Sequence, residues 1–141
     1  MSNLPLATAN KILEASLAKA QNMDLNPLAI SVVDAAGQII CLQRQDGASD
    51  LLVKLSQAKA HGCTQLGISS RQIGEIKTNI PEIINSAMTL AKGNLVAAPG
   101  GVVIRDAEGT LLGAIGISGD TSDNDETCAI AGIEAAGLVA G

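Results

Sequence analysis

No Phe, Tyr or Trp occurs anywhere in this chain, although 47% of its residues are apolar. A large aromatic normally supplies much of a domain's buried area, so an interior made only of Ala, Val, Ile, Leu, Met and Cys must gain its stability from many close aliphatic contacts. Backbones then have to approach one another closely, and contacts between subunits would add further burial. The chain is 141 residues long. That is the size of one domain with a core that needs neither disulfide nor metal, so a single domain over 1–141 and a homo-oligomeric state are expected.

Periodicity sets out the elements. From Pro5 to Met23, Ala9, Ile12, Leu13, Ser16, Leu17 and Ala20 recur at three- and four-residue spacings, which predicts an amphipathic helix with Pro in its first turn. The run "LAISVVDAAGQIICLQRQDG" holds two β-rich segments around Asp34-Ala35-Ala36-Gly37, and "GVVIRDAEGTLLGAIGIS" repeats that layout around Asp106-Ala107-Glu108-Gly109. Both predict hairpins, because Asp favours the turn and Gly takes its positive φ. A helix is expected over Ser49–Leu66, with a short one near Ser70 and another after Pro81. The last segment begins with acids, where Asp123 and Glu126 resemble a capping pair, and the chain is expected to end in a helix. Strands such as "QIICL" and "TLLGAIGI" are apolar on both faces and need cover on both sides. The predicted architecture is α+β: a three-layer α-β-α sandwich around an antiparallel sheet built from two hairpins.

Charge and composition exclude several partners. A net charge of −5, no Lys/Arg cluster and no aromatic for stacking argue against nucleic acid. The beginning "MSNLPLATANKILEASLAKA" does not read as a signal peptide and no run is long enough to span a membrane, so a soluble cytoplasmic protein without a membrane partner is expected. Cys41, Cys63 and Cys128 are scattered without a CxxC spacing, which predicts free thiols and no metal site.

Several residues stand out as binding candidates. On the Ser49–Leu66 helix, Leu52, Leu55, Ser56, Lys59, Cys63 and Leu66 share a face, so Lys59 sits on the apolar stripe and either snorkels, pairs with a carboxylate or faces a pocket for an anionic ligand. His61, the single histidine, falls on the polar side and is expected to be solvated. Arg44 and Asp46 follow a strand, where rigid scaffolds present binding groups, or else form an ion pair and a turn. Asp120, Asp123, Asp125 and Glu126 lack calcium-loop spacing and suit a helix N-terminus. Gly113, Gly116 and Gly119 form GxxGxxG, neither the dinucleotide nor the phosphate-loop motif, and suggest close approach of a helix, another backbone or another subunit. Gly100 and Gly101 after Pro99 could offer amides to an anion.

In order along the chain, "SVVDAAGQIICLQRQDGAS", "AKAHG", "APGGVVI", "GAIGISG" and "DNDETCAIAGIEA" resemble the GlcG/HbpS family of haem-binding or haem-degrading domains, which includes the C-terminal domain of PduO-type proteins. The resemblance implies an α-β-α sandwich that assembles with copies of itself. It also implies an occurrence beside glycolate, propanediol and glycerol utilisation genes, with haem as a ligand of some members. The positions that match its motifs include Arg44, Asp46, Lys59, Gly100, Gly101, Ser118, Asp125 and Glu126. With no Tyr, an axial ligand to haem iron would be His61, a Cys or a Met.

Three functions follow. The first is a protein that binds a small anionic metabolite or haem, through Arg44, Lys59 and the Pro-Gly-Gly amides. The second is an enzyme acting on a small carbonyl or hydroxy-acid compound, with Lys59 as base or cation and Asp125 or Glu126 as acid. The third is a structural oligomeric subunit. Binding is favoured because no nucleophile-base pair stands out; catalytic residues and cofactor are left unassigned.

Overall fold

The computed structural model describes residues 4–141, arranged as five helices and five strands. Helix α1 (Leu6–Asn22) leads into the hairpin β1 (Ala29–Asp34) and β2 (Ile39–Arg44), then α2 (Asp50–Leu66), α3 (Ser70–Asn79) and α4 (Pro81–Leu90). The second hairpin, β3 (Gly101–Arg105) and β4 (Leu111–Ser118), is followed by α5 (Ser122–Ala135) and the two-residue β5 (Val139–Ala140). The sheet order is β2-β1-β4-β3-β5 and every neighbouring pair is antiparallel.

Both D-x-x-G segments make the expected turns. Asp34 Oδ1 accepts from the amides of Ala36 and Gln38, and Asp106 Oδ1 accepts from those of Glu108 and Thr110. Each carboxylate satisfies turn amides that the strand ladder cannot reach. The two hairpins join through β1 and β4, leaving β4 buried along nearly its whole length.

Helices α1 and α5 cover one face of the sheet, where Ile12, Leu13, Ile30, Val32, Ile104, Ile115, Ile117 and Ile133 form the main core. Helix α2 covers the other face over a smaller cluster of Val33, Ala60, Cys63, Val103 and Ala114. The α3–α4 hairpin lies beside α2, around Ile73, Ile84 and Leu95. The result is the three-layer sandwich.

Some expectations are corrected. The chain does not end in a helix, because β5 returns to pair with β3. The α5 cap is Thr121, whose hydroxyl accepts from the amide of Asn124, and Asp123 and Glu126 are engaged elsewhere. Strand β2 is half-exposed rather than covered on both faces, since it forms the sheet edge. On α2 the buried side is made of small residues, Ser56, Ala58, Ala60, Gly62 and Cys63 with Lys59, while Leu66 is exposed. Gly116 explains this: a Cβ there would lie 2.0 Å from the carbonyl oxygen of Ser56. The helix therefore rests directly on the β4 backbone, and large side chains are pushed to its flanks. The close neighbour of that glycine is a helix of the same chain.

Candidate functional site

Antiparallel register gathers the candidate residues at one end of the sheet. Ala29, the first residue of β1, pairs with Arg44 at the end of β2 and with Ser118 at the end of β4. Gly101 opens β3 opposite Gly116. The two D-x-x-G turns lie at the opposite end. Within the shared end the candidates divide into three groups.

The first group is interior. The Lys59 ammonium donates to the carbonyl oxygen of Ile117 at 2.8 Å and pairs with Asp125 Oδ2 at 3.4 Å, linking α2 to α5 around the end of the strands. Asp125 Oδ1 in turn accepts from the amide of Asp120 at 3.1 Å. Both residues are buried, at 4% and 1% exposure. Loss of water lowers the Lys59 pKa and raises that of Asp125, in each case outweighing the attraction of the partner charge. The pair locks two layers together. It is the structural alternative for Lys59, and neither charge is presented to solvent for ligand binding or acid–base work.

Gly100 and Gly101 belong to this interior. A Cβ on Gly100 would lie 2.7 Å from Lys59 Nζ, and one on Gly101 would lie 2.6 Å from the Lys59 carbonyl oxygen, so both make room for the lysine and its helix. The Gly101 amide donates to Ser70 Oγ at 2.8 Å. Of the two expected anion-binding amides, that of Gly101 is therefore already committed to a side chain. Ser118 is buried at the end of β4.

The second group faces solvent. Arg44 and Asp46, with Leu25, Pro27 and Gln45, line a depression of about 410 Å³. Arg44 Nη1 donates to the carbonyl oxygen of Ala48 at 2.7 Å, which fixes one corner of the guanidinium and leaves the group exposed. Gln45 Oε1 accepts from the amide of Leu28 at 2.8 Å, holding β2's end against the approach to β1. A neighbouring hollow of about 190 Å³, lined by Ala20, Gln21, Asp24, Leu25 and Gln45, shares Leu25 and Gln45 with the first. Asp46 is separate from Lys59 and Asp125: structure makes two sites of what sequence grouped as one.

Glu126 is the third. Its carboxylate accepts both from Arg71 Nε, at 3.1 and 3.0 Å, while Arg71 Nη2 also meets Asp123. These two carboxylates raise the Arg71 pKa and pin α3 to α5. Sequence reasoning missed Arg71, an isolated cation in a polar stretch, and also Leu25, Pro27 and Gln45. Only Gln45, lying between Arg44 and Asp46, carried a local signal.

His61 departs from its expected solvated position. It is half-buried, with Nδ1 3.0 Å from the carbonyl oxygen of Asn94 and its ring edge against Gly37, where a Cβ would come within 2.8 Å of Cδ2. The hairpin turn folds over the polar side of α2, which periodicity within one helix does not show. Cys63 and Cys128 are fully buried, and burial pushes their thiols up to about 12 and about 11. Among the described residues no group of three or more His, Cys, Asp or Glu is placed to hold a metal ion, and no helix is long and apolar enough to cross a membrane.

Residues 4–134 match the model of the family described as "Haem degrading protein HbpS-like". The chain belongs to the HbpS-like family. An uncharacterized 15.0 kDa protein in the dhaT-dhaS intergenic region of Citrobacter freundii is 28% identical over 129 residues, covering 92% of this HbpS-like chain and 89% of that one. Among solved structures, the PduOC:heme complex superposes with a TM-score of 0.86 at 23% identity, covering 96% of each chain. Klebsiella pneumoniae protein ORFY gives 0.85 at 23% identity, over 97% of this chain and 92% of that one. A double-mutant HbpS from Streptomyces reticuli gives 0.80 at 22% identity, over 95% and 87%. These likenesses establish the α-β-α fold of the HbpS-like chain.

Haem needs an axial ligand and an apolar slot for the porphyrin. His61 supplies part of this: with Nδ1–H donated to Asn94, Nε2 keeps its lone pair, the arrangement that orients a metal-binding histidine. The slot is not matched at the candidate site, since neither hollow at the sheet end is bordered by His, Cys or Met. Haem therefore does not fit the Arg44 site.

Proposed function

We propose that this HbpS-like protein is a homo-oligomeric accessory protein that binds a small carboxylate-bearing metabolite in the Arg44–Asp46 depression. The observation that carries this reading is the Arg44 guanidinium, anchored at one corner by Ala48 and exposed beside a hollow of about 410 Å³. A guanidinium matches a carboxylate in a planar, two-bond geometry, and Asp46 offers an acceptor for a hydroxyl or amine on the same ligand. A short hydroxy acid has both groups. Binding is favoured over catalysis because Lys59 and Asp125, the acid–base candidates, are spent on one another in the interior. The reading places the protein in the cytoplasm with no membrane or nucleic-acid partner, in keeping with its net charge of −5.

Haem is the second reading, favoured by the oriented His61 nitrogen. The two readings use different ends of the β1–β2 hairpin. Strand β2 has six residues, so Arg44 and the turn over His61 are about 20 Å apart, too far for one small ligand. A thermal-shift screen of two- and three-carbon acids, diols and hemin separates them. The expected result is a concentration-dependent rise in Tm with a short hydroxy acid, lost in Arg44→Ala and kept in His61→Ala. A saturable hemin Soret band lost only in His61→Ala favours the second reading, and an acid-induced shift that survives Arg44→Ala overturns the first.

A further inference from the structure

The Arg44 depression has a neighbour of opposite charge. Asp24 lines the hollow of about 190 Å³ that shares Leu25 and Gln45 with the depression of about 410 Å³. Its carboxylate is exposed, and among the described residues it accepts no hydrogen bond and pairs with no cation. The wall common to both hollows is firmly held. Leu25 packs against the main core, and Gln45 is tied to Leu28 twice, its amide donating to the Leu28 carbonyl oxygen at 2.9 Å and its Oε1 accepting from the Leu28 amide at 2.8 Å.

The backbone gives no reason for an acid at this position. Helix α1 closes in a Schellman turn, with the Leu25 amide donating to the Ala20 carbonyl oxygen at 3.2 Å and the Asp24 amide to that of Gln21 at 3.1 Å. Asp24 occupies the left-handed position of that turn, at a φ of 54°. Glycine or asparagine suits such a position, and the helix dipole disfavours a negative charge at this end.

We infer that the two adjoining hollows hold one ligand, an ω-amino acid whose carboxylate pairs with Arg44, whose methylene chain crosses Leu25 and whose ammonium pairs with Asp24. The inference rests on the reading of Arg44 as a carboxylate anchor and names the ligand class for that site. Charge selects this class. The combined lining offers one guanidinium and two carboxylates, Asp24 and Asp46, so a plain acid satisfies Arg44 and leaves Asp24 unpaired. A dicarboxylate would bring its second charge against Asp24, and a diamine would bring one against Arg44. Only a ligand with a carboxylate at one end and an ammonium at the other matches both, and the apolar Leu25 between them suits an aliphatic spacer.

The test is calorimetric titration at low salt with γ-aminobutyrate, δ-aminovalerate and ε-aminocaproate, each against butyrate, valerate or caproate of the same length. At least one amino acid should bind about fivefold tighter than its plain counterpart, the upper end of what an exposed ion pair contributes. Asp24→Asn should bring that ratio close to one, with plain-acid binding no weaker and the ligand-free Tm no lower, because asparagine accepts the left-handed backbone and removes the charge. A purely structural role for Asp24 would instead weaken both ligands alike. A preference that survives Asp24→Asn, or none in the wild type while plain acids still bind in an Arg44-dependent way, overturns this inference and leaves the Arg44 reading standing. If neither series shows binding that Arg44→Ala removes, both fall.

Discussion

On the α1/α5 side of the sheet, Ile, Leu and Val side chains interlock in a thick core, whereas on the α2 side the helix lies almost on the strand backbone. Volume stabilises the first layer. The second depends on the absence of volume, with Gly116, Ala60 and Cys63 at the contact and polar groups sealed within it: Ser31 and Ser56 share a 2.7 Å hydrogen bond, and Lys59 reaches through to Asp125. A core without aromatics can thus be completed in two ways, by filling space or by removing it. The difference teaches where each side of the protein is fragile, since the filled layer tolerates small losses and the thin layer tolerates no additions.

The sharpest way to break this contrast is Gly116→Val. Its Cβ has no room against the Ser56 carbonyl oxygen, and because the obstacle is backbone, α2 must lift off the sheet. The expected outcome is loss of cooperative thermal unfolding and of soluble yield; a variant melting near wild type would show that the layers are not in tight contact. Next comes Lys59→Met, which leaves Asp125 buried without its counter-ion and should cost about 3–5 kcal/mol in denaturant unfolding. Lys59→Met combined with Asp125→Leu should recover most of that loss, because burial penalises both charges more than they gain from each other. If the double variant is as unstable as the single one, the pair contributes more than its charges. On the filled side, Ile30→Val should cost only about 1 kcal/mol, measured the same way. Smallest of all is Arg71→Gln: Arg71 and Asp123 are exposed and only Glu126 is half-buried, so the Tm change should be slight and smaller still at high salt.

Much of the fold was legible because its signals are local. The Asx turns at Asp34 and Asp106, the three-and-four spacing of α1 and Pro81 at the start of α4 each act within a few residues. Elements that depend on distant partners were less so. The two-residue β5 is visible only as a partner for β3, and the cap at Thr121 was hidden because Asp123 and Glu126 offer the stronger local pattern while serving Arg71. The candidate site was half legible: Arg44, Asp46, Lys59 and Asp125 could be named, but not that they belong to separate environments.

Sequence alone determined the class of this protein: an aliphatic, glycine-rich domain whose hairpins, helices and ordered motifs place it in the HbpS-like family. Tertiary structure decided which charges remain available. Whether a lysine on an apolar stripe faces a ligand or a carboxylate depends on what lies 66 positions away, and periodicity carries no such information. Packing brought Asp125 to Lys59 and Glu126 to Arg71, and left Arg44 beside an open hollow, because desolvated charges must find partners while a charge in contact with water need not.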